Sequence, residues 1–150
     1  MSGGVPLLIT KNDGFAAVEF DDGFLYYSRG QVAVWRVPLS GGEEKLVLDM
    51  PTADSYNKWA LAGHGIYFMD RKGGSEWQTR YWNFGTVDDR NARSEWQMRY
   101  FDFHTGRITL LRTMDKPPFA GLAVSPDGKS LIYSQDDQVE FSILTVKNFH

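Results

Sequence analysis

Near its C-terminus the sequence reads Leu122-Ala123-Val124-Ser125-Pro126-Asp127-Gly128-Lys129-Ser130-Leu131-Ile132-Tyr133. An apolar run and a run rich in β-branched and aromatic residues flank a short polar connection, as in two consecutive β-strands. Pro126 fits the turn position that needs a φ of about −65°, and Gly128 fits the position that needs a positive φ. The stretch therefore predicts two strands joined by a tight turn.

The same order of apolar strand, glycine-containing turn and aromatic strand occurs twice more, at residues 15–27 and 59–68. The turn glycines Gly23 and Gly65 lie 42 positions apart, which is the length of one four-stranded blade of a β-propeller. Gly65 and Gly128 lie 63 positions apart, 21 more than one blade needs. The repeat thus predicts a propeller whose second blade carries an insertion.

The insertion is a local duplication. Residues 75–86 recur nineteen positions later as residues 94–105, and eight of the twelve paired positions are identical. We expect the second copy to form the third strand of the blade, because Thr105-Gly106-Arg107 supplies a turn into the next strand. The first copy is then an extra strand or a protruding hairpin.

Short strands account for the rest of the pattern, and no window has the period of a long helix. They are predicted at 5–10, 15–20, 24–28, 33–37, 45–49, 58–62, 66–70, 96–103, 107–113, 121–125, 130–134 and 141–146. Ser2-Gly3-Gly4 repeats the joint Ser40-Gly41-Gly42 that precedes a blade's fourth strand, so the chain is expected to open on such a strand.

The predicted fold is an all-β propeller of about three four-stranded blades, half of a six-bladed ring. The chain divides into an outer strand at 5–10, a blade at 14–50, a blade at 56–114 with the duplicated insert 73–93, and a partial blade at 119–147.

Composition excludes several classes of protein. Hydrophobic residues make up 42% of the 150 residues and aromatic residues 15%, so the chain is not intrinsically disordered. Sixteen basic and nineteen acidic side chains give a net charge of −3, which argues against nucleic-acid binding. The sequence has no cysteine, so it has no disulfide framework or thiolate site. No apolar stretch is long enough to span a bilayer, and no signal peptide is recognisable, so we expect a cytoplasmic protein if Met1 is the true start.

No residue pattern points to catalysis, a metal or a cofactor. His64 and His104 fall in predicted turns, His150 is the last residue, and none has a second histidine at ligand spacing. The acid pairs Asp21-Asp22, Asp88-Asp89 and Asp136-Asp137 are sparser than a calcium loop requires, so we interpret them as solvated turn residues. Ser28, Ser125 and Ser134 lack the Gly-x-Ser-x-Gly elbow of a hydrolase. We therefore predict a protein that is not an enzyme.

The duplicated segment is rich in the residue types that dominate binding hot spots. These residues are Trp77, Arg80, Tyr81 and Trp82 in the first copy and Trp96, Arg99 and Tyr100 in the second. For the second copy we expect alternate positions to fill the blade core and the arginine to be solvated. The first copy supplies the candidate partner-binding residues Trp77, Arg80, Tyr81 and Trp82.

The stretch 122–129 resembles the repeat signature of TolB-like propellers, a WD-like class. The likeness extends through residues 34–44, 65–70, 116–119 and 136–149. Together these segments resemble the C-terminal blades of bacterial, acidobacterial-type proteins that join a winged-helix DNA-binding domain to a propeller. This sequence contains no winged helix, so DNA binding does not follow. The resemblance implies a non-catalytic scaffold that binds a protein or a small ligand.

Three blades would leave two apolar faces in water, and such faces favour association. One hypothesis is that two chains close a six-bladed ring, with residues 5–10 completing the partner's last blade. The alternative is that the chain is a fragment of a longer protein.

The expected function is a scaffold for protein–protein interaction. There are two alternatives. One is a sensory domain that binds a small ligand in the central channel of a closed ring, and the other is the accessory propeller of a hydrolase whose catalytic domain is absent.

Overall fold

The computed structural model describes residues 5–30, 33–50, 57–72, 95–116, 118–137 and 140–147. Within these ranges the chain forms eleven strands and no helix, so this part of it holds no helix that could cross a membrane. The strands are β1 (Phe15–Glu19), β2 (Phe24–Arg29), β3 (Ala33–Pro38), β4 (Lys45–Asp49), β5 (Trp59–Ala62), β6 (Gly65–Lys72), β7 (Glu95–Asp102), β8 (Ile108–Met114), β9 (Pro118–Val124), β10 (Ser130–Asp137) and β11 (Glu140–Lys147).

The strands build three antiparallel sheets in which chain neighbours pair with one another. The first sheet has the order β1-β2-β3-β4, the second β5-β6-β7-β8 and the third β11-β10-β9. The second copy of the duplicated segment lies in β7, the third strand of the second sheet. The third sheet begins at Pro118, one residue before the range 119–147 predicted for the partial blade.

Turn residues of the kind recognised in the sequence connect these strands. Gly23 has a φ of 82° and Gly128 a φ of 69°, values that cost glycine nothing. The Gly128 amide donates to the Ser125 carbonyl at 2.8 Å, and the Ser125 hydroxyl donates to the Asp127 carboxylate at 2.6 Å. Asp22 accepts a hydrogen bond of 3.2 Å from the Phe24 amide. The carboxylates of Asp22 and Asp127 therefore stabilise their own turns through local hydrogen bonds.

The first sheet packs face to face on the second. Their shared core contains buried side chains from β2, β3 and the end of β4, together with β5 and β6; the members are Tyr26, Val34, Leu48, Met50, Trp59, Ile66 and Phe68. The β2 residue Tyr26 also stacks on Phe103, which follows β7, with ring centroids 5.5 Å apart. Aromatic and aliphatic burial of this kind is the main force that joins two sheets.

The third sheet packs on the opposite face of the second. This core consists of Met69, Met98 and Met114 from the second sheet and Leu122, Leu131 and Tyr133 from the third. Successive residues of a strand point to opposite faces, so Phe68 contributes to one core and Met69 to the other. The second sheet is thus buried on both faces, and the three sheets form one stack.

One predicted strand is not formed. Residues 5–10 have no regular secondary structure, and Val5, Leu7 and Leu8 are largely exposed. The segment lies on the free face of the first sheet, where residues 7–10 line a groove with Leu25 and Tyr27. An outer strand needs the unpaired edge of another strand as its hydrogen-bond partner, and a position on the face of a sheet supplies none. The prediction of an outer strand at 5–10 is therefore wrong for the single chain.

Candidate interaction site

The four binding residues predicted in the first copy, Trp77, Arg80, Tyr81 and Trp82, lie outside the described residues. The described chain borders their segment on both sides, because β6 ends at Lys72 and β7 begins at Glu95. These two residues are register partners, so the hairpin is fully paired up to the insert. We call the polar and aromatic cluster at this end of the second sheet the insert base; it comprises Lys58, Asp70, Arg71, Lys72, Glu95, Trp96, Gln97, Arg99 and Thr113.

The second copy of the duplication contributes both to the core and to the insert base. Trp96 packs against the core shared with the third sheet, and Phe101 packs against the core shared with the first. The ring of Tyr100 lies 4.7 Å from that of its cross-strand partner Tyr67. The expectation of a solvated arginine is wrong, because Arg99 Nη1 lies 3.2 Å from the Asp70 carboxylate. The Asp70 carboxylate that pairs with Arg99 lies on the neighbouring strand β6, so spacing along the sequence does not reveal the ion pair.

A ladder of hydrogen bonds runs along one face of the insert base. Arg99 donates to Gln97 Oε1 through Nε at 3.0 Å and through Nη2 at 2.6 Å. Gln97 Nε2 in turn donates to Glu95 Oε1 at 3.1 Å. Glu95 also accepts from the Thr113 hydroxyl at 3.2 Å and lies 3.4 Å from Lys72 Nζ. The ladder thus extends from inside the sheet to the residues that flank the insert.

The ladder favours the negatively charged form of its outermost carboxylate, Glu95. Hydrogen bonds from Gln97 and then Thr113, followed by those from Lys72 and its positive charge, lower the pKa of Glu95 below its usual value. Gln97 is buried, with 4% of its surface exposed, and a buried amide is favourable only where its hydrogen bonds are made. The Gln97 side chain uses both its amide nitrogen and its carbonyl oxygen here, so it holds the ladder in one arrangement.

The opposite face of the insert base carries cations on an aromatic ring. Lys58 Nζ lies 4.8 Å and Arg71 Cζ 5.8 Å from the ring centroid of Trp96. Arg71 and Trp96 are register partners across β6 and β7, and Lys58 is buried, with 7% of its surface exposed. Cation–π attraction is strongest when the cation loses water. Trp96 therefore holds two positive side chains close to the start of the insert.

A second polar cluster, which no sequence pattern predicts, holds the N-terminal segment on the first sheet. We call it the N-terminal anchor; it comprises Lys11, Asn12, Arg29, Trp35 and Glu44. The Glu44 carboxylate accepts from the Lys11 amide at 2.6 Å and from Asn12 Nδ2 at 2.8 Å. Arg29 lies 3.6 Å from the same carboxylate and 4.6 Å from the ring centroid of Trp35. More than thirty residues separate Glu44 from Lys11, so only the fold brings them together.

The anchor also changes the acidity of its members. Hydrogen bonds from Asn12 and the Lys11 amide lower the pKa of Glu44. Burial raises the pKa of the adjacent Tyr27 to about 12, and the negative charge of Glu44 adds to the effect. Glu44 is therefore held as an anion, and Tyr27 stays neutral at physiological pH.

His64 and His104 lie in turns as predicted, whereas Asp136 and Asp137, interpreted as turn residues, are the last two residues of β10. The His64 carbonyl accepts from the Phe103 amide at 2.8 Å, and the His104 amide donates to Asp102 at 2.8 Å. Within the described ranges, no three histidine or acidic side chains converge on a point where a metal ion could bind. Asp88, Asp89 and His150 lie outside the described residues.

Comparison with known proteins defines the fold only. No family model matches the sequence, and no curated protein matches it. Among solved structures the chain is similar to the tricorn protease, with a TM-score of 0.53 and 15% sequence identity. The similarity covers 88% of this chain and 12% of the protease chain, so this chain spans a small part of that protein. The tricorn protease contains β-propeller domains, and the likeness supports an all-β fold of related type.

Proposed function

We propose that the chain is a TolB-like propeller segment of about three four-stranded blades that acts as a non-catalytic scaffold for protein–protein interaction. Two observations support the propeller arrangement. The three meander sheets stack in series through two separate cores. The first strands of neighbouring sheets, β5 and β9, contact each other, and the Leu122 amide donates to the Asn57 carbonyl at 2.9 Å.

The contact surface in this proposal is the duplicated insert, residues 73–93, which we call the arm. Its main binding residues are Trp77, Arg80, Tyr81 and Trp82. The observation that carries the proposal is the insert base. Its hydrogen-bond ladder ends at Glu95, which lies 3.4 Å from Lys72, and Trp96 contacts Lys58 and Arg71, so described residues on both sides of the arm make side-chain contacts at the end of the second sheet. A binding segment gains affinity when a rigid element holds its ends, because less conformational entropy is lost on binding.

The residue types in the arm indicate what kind of partner would fit. Tryptophan and tyrosine side chains are hot-spot residues when they enter apolar pockets. Arginine forms its strongest contacts with carboxylates, which it binds in two-pronged fashion. The proposed partner is therefore a protein whose surface presents an apolar pocket with acidic groups around it.

The test compares the wild-type chain with the double variant Trp77→Ala/Trp82→Ala. The control is Phe15→Ala, which removes a partly exposed aromatic side chain from β1, in a different sheet from the insert base. A partner is first identified by affinity capture and mass spectrometry, and its binding to each purified chain is then measured by calorimetry. We expect the double variant to keep its circular dichroism spectrum and to bind the partner at least about tenfold more weakly.

Several outcomes would contradict the proposal. Global unfolding of the double variant would show that the two tryptophans belong to a core. Equal binding by the double variant and the wild type would remove the arm from the interface. A thermal shift caused by a small molecule in both chains alike would favour the sensory role instead. Co-purification with a hydrolase catalytic subunit would favour the accessory role.

A further inference from the structure

The third sheet ends in an unprotected strand edge. The sheet order β11-β10-β9 places β10 on one side of β11, and within the described residues no strand lies on its other side. The first two sheets have four strands each, whereas the third has three. An unpaired edge presents a row of amide and carbonyl groups to which another strand can add.

The pairing pattern identifies β11 as the counterpart of strands that are internal in the other sheets. The pairs β2–β3, β6–β7 and β10–β11 all run without a register shift. The two pairs that involve an outermost fourth strand, β3–β4 and β7–β8, each contain a shift. Irregular pairing of this kind is one way in which proteins protect an exposed edge. Within the described residues, the regularly paired β11 lacks that protection on its free side.

The open edge adjoins exposed apolar surface. Ile143 on β11 has 80% of its surface exposed and Ile132 on β10 has 37%. Their neighbours along the strands, Leu131 and Leu144, belong to the core shared with the second sheet. Ile132 and Ile143 therefore lie on the outer face of the third sheet beside the polar positions Ser134 and Thr145, and burial of the two isoleucine side chains would be favourable.

The same chain contains a segment that fits this edge. Val5, Leu7 and Leu8 have 94%, 74% and 86% of their surface exposed, in a stretch without regular structure. In sequence the segment follows Gly3-Gly4, as the fourth strand β4 follows Gly41-Gly42. Pro6 lacks an amide hydrogen, which a strand tolerates at its start or in an outermost position. These features match an outermost fourth strand.

The segment is placed for a second copy of the chain and not for its own β11. The Glu44 contacts with Lys11 and Asn12 hold its end on the first sheet. The second sheet lies between the first and the third, because it contributes to both cores. Its own β11 is therefore at the opposite end of the stack.

We propose that residues 5–10 of one copy pair antiparallel with β11 of a second copy, and that the reciprocal exchange joins two chains. The segment leaves the groove beside Leu25 and Tyr27 and turns about the N-terminal anchor, whose contacts with Glu44 are kept. This inference rests on the propeller arrangement of the proposed function but not on the arm. Loss of partner binding in the arm variant therefore leaves it untouched.

Engineered disulfides test the pairing directly, because the natural sequence has no cysteine. Leu8→Cys is combined in turn with Ile143→Cys, Thr145→Cys and Lys147→Cys, all exposed positions of β11. The matched control combines Leu8→Cys with Ile108→Cys, an exposed position on the outer strand β8. We expect the wild type to have twice the chain mass of 17.1 kDa in light scattering. Mild oxidation should cross-link chains at one of the three β11 positions at least tenfold faster than in the control.

Hydrogen exchange on the unmodified chain gives an independent readout. Dilution that dissociates the dimer should speed amide exchange in residues 5–10 and in β11 together, while β6 and β7 keep their protection. A monomer at all concentrations, or equal cross-linking in the control, would overturn the proposal. A dimer without β11 cross-links or without protection of residues 5–10 would also overturn it, since the two copies would then join elsewhere.

Discussion

Trp59 Nε1 donates a hydrogen bond of 2.8 Å to the Ser28 hydroxyl and thereby joins the second sheet to the first inside their shared core. Both residues are buried, with 5% and 0% of their surface exposed. Replacement of Ser28 by Ala leaves the indole N–H without this acceptor. We expect it to lower the free energy of unfolding by about 1–3 kcal/mol, measured by urea denaturation. In a Trp59→Phe background the same replacement should cost clearly less, and strictly additive effects would contradict the assignment.

At Gly65 the backbone of β6 lies close to β7. A Cβ atom there would clash with the Phe101 carbonyl oxygen and lie 2.6 Å from the Tyr100 ring. Gly65→Ala should therefore destabilise the chain by about 3 kcal/mol or more. The control is Gly128→Ala, where the φ of 69° is unfavourable but no atom lies within 4 Å, so its cost should be near 1 kcal/mol. Equal effects in urea denaturation would show that backbone conformation, and not the clash, explains the glycine.

Ala16 is a non-glycine residue with a positive φ, 40°, within the irregular β1–β2 pairing. A side chain in this conformation is strained, and glycine would relieve the strain. Ala16→Gly should therefore raise the free energy of unfolding by about 0.5–1 kcal/mol. Ala17→Gly, one residue further along the same strand, should lower it because glycine gains flexibility in the unfolded chain. A loss of stability in both variants by thermal unfolding would argue against strain at residue 16.

Acid should weaken the N-terminal anchor. Asn12 and the Lys11 amide lower the pKa of Glu44 relative to the ordinary value of 4.5. A carboxylate whose pKa is lower in the folded state contributes stability above its unfolded value, and that contribution is lost as the pH falls through the folded value. We expect the free energy of unfolding to decrease between about pH 5 and pH 3, and the decrease to be smaller in Glu44→Gln.

The control for this pH dependence is Glu43→Gln, since the Glu43 side chain is 82% exposed. It should follow the wild type over the whole pH range in urea denaturation. Because Glu95, Asp102 and Asp127 also have lowered pKa values, Glu44→Gln should retain part of the acid sensitivity. A Glu44→Gln profile that coincides with the wild type would remove Glu44 from the acid response.

Most strands were predictable because their signal is local. Alternation, β-branched and aromatic residues and glycine turns predicted eleven of the twelve strands close to their observed positions. Residues 5–10 carry the same signal and form no strand, because a strand needs a partner edge and the described part of the chain offers none at that place. Local propensity permits a strand, but hydrogen bonding to a neighbour is what forms one.

The insert base was less predictable than the strands. The duplication drew attention to Trp96, Arg99 and Tyr100, but it did not reveal that Arg99 pairs with Asp70 or that Lys58 lies on Trp96. These contacts join different strands, and their register is set by the pairing of β6 with β7. The four arm residues Trp77, Arg80, Tyr81 and Trp82 remain a prediction from composition.

The all-β character, the division into three repeats and the turn positions follow from the sequence, because each depends on residues close together along the chain. Only the folded chain reveals which faces are buried, which carboxylate holds the N-terminal segment and which strand edge is open. Those properties depend on how residues far apart along the chain pair and pack. Phe68 and Met69 illustrate the difference, since their order predicts a strand, whereas only the stack of sheets assigns one to each core.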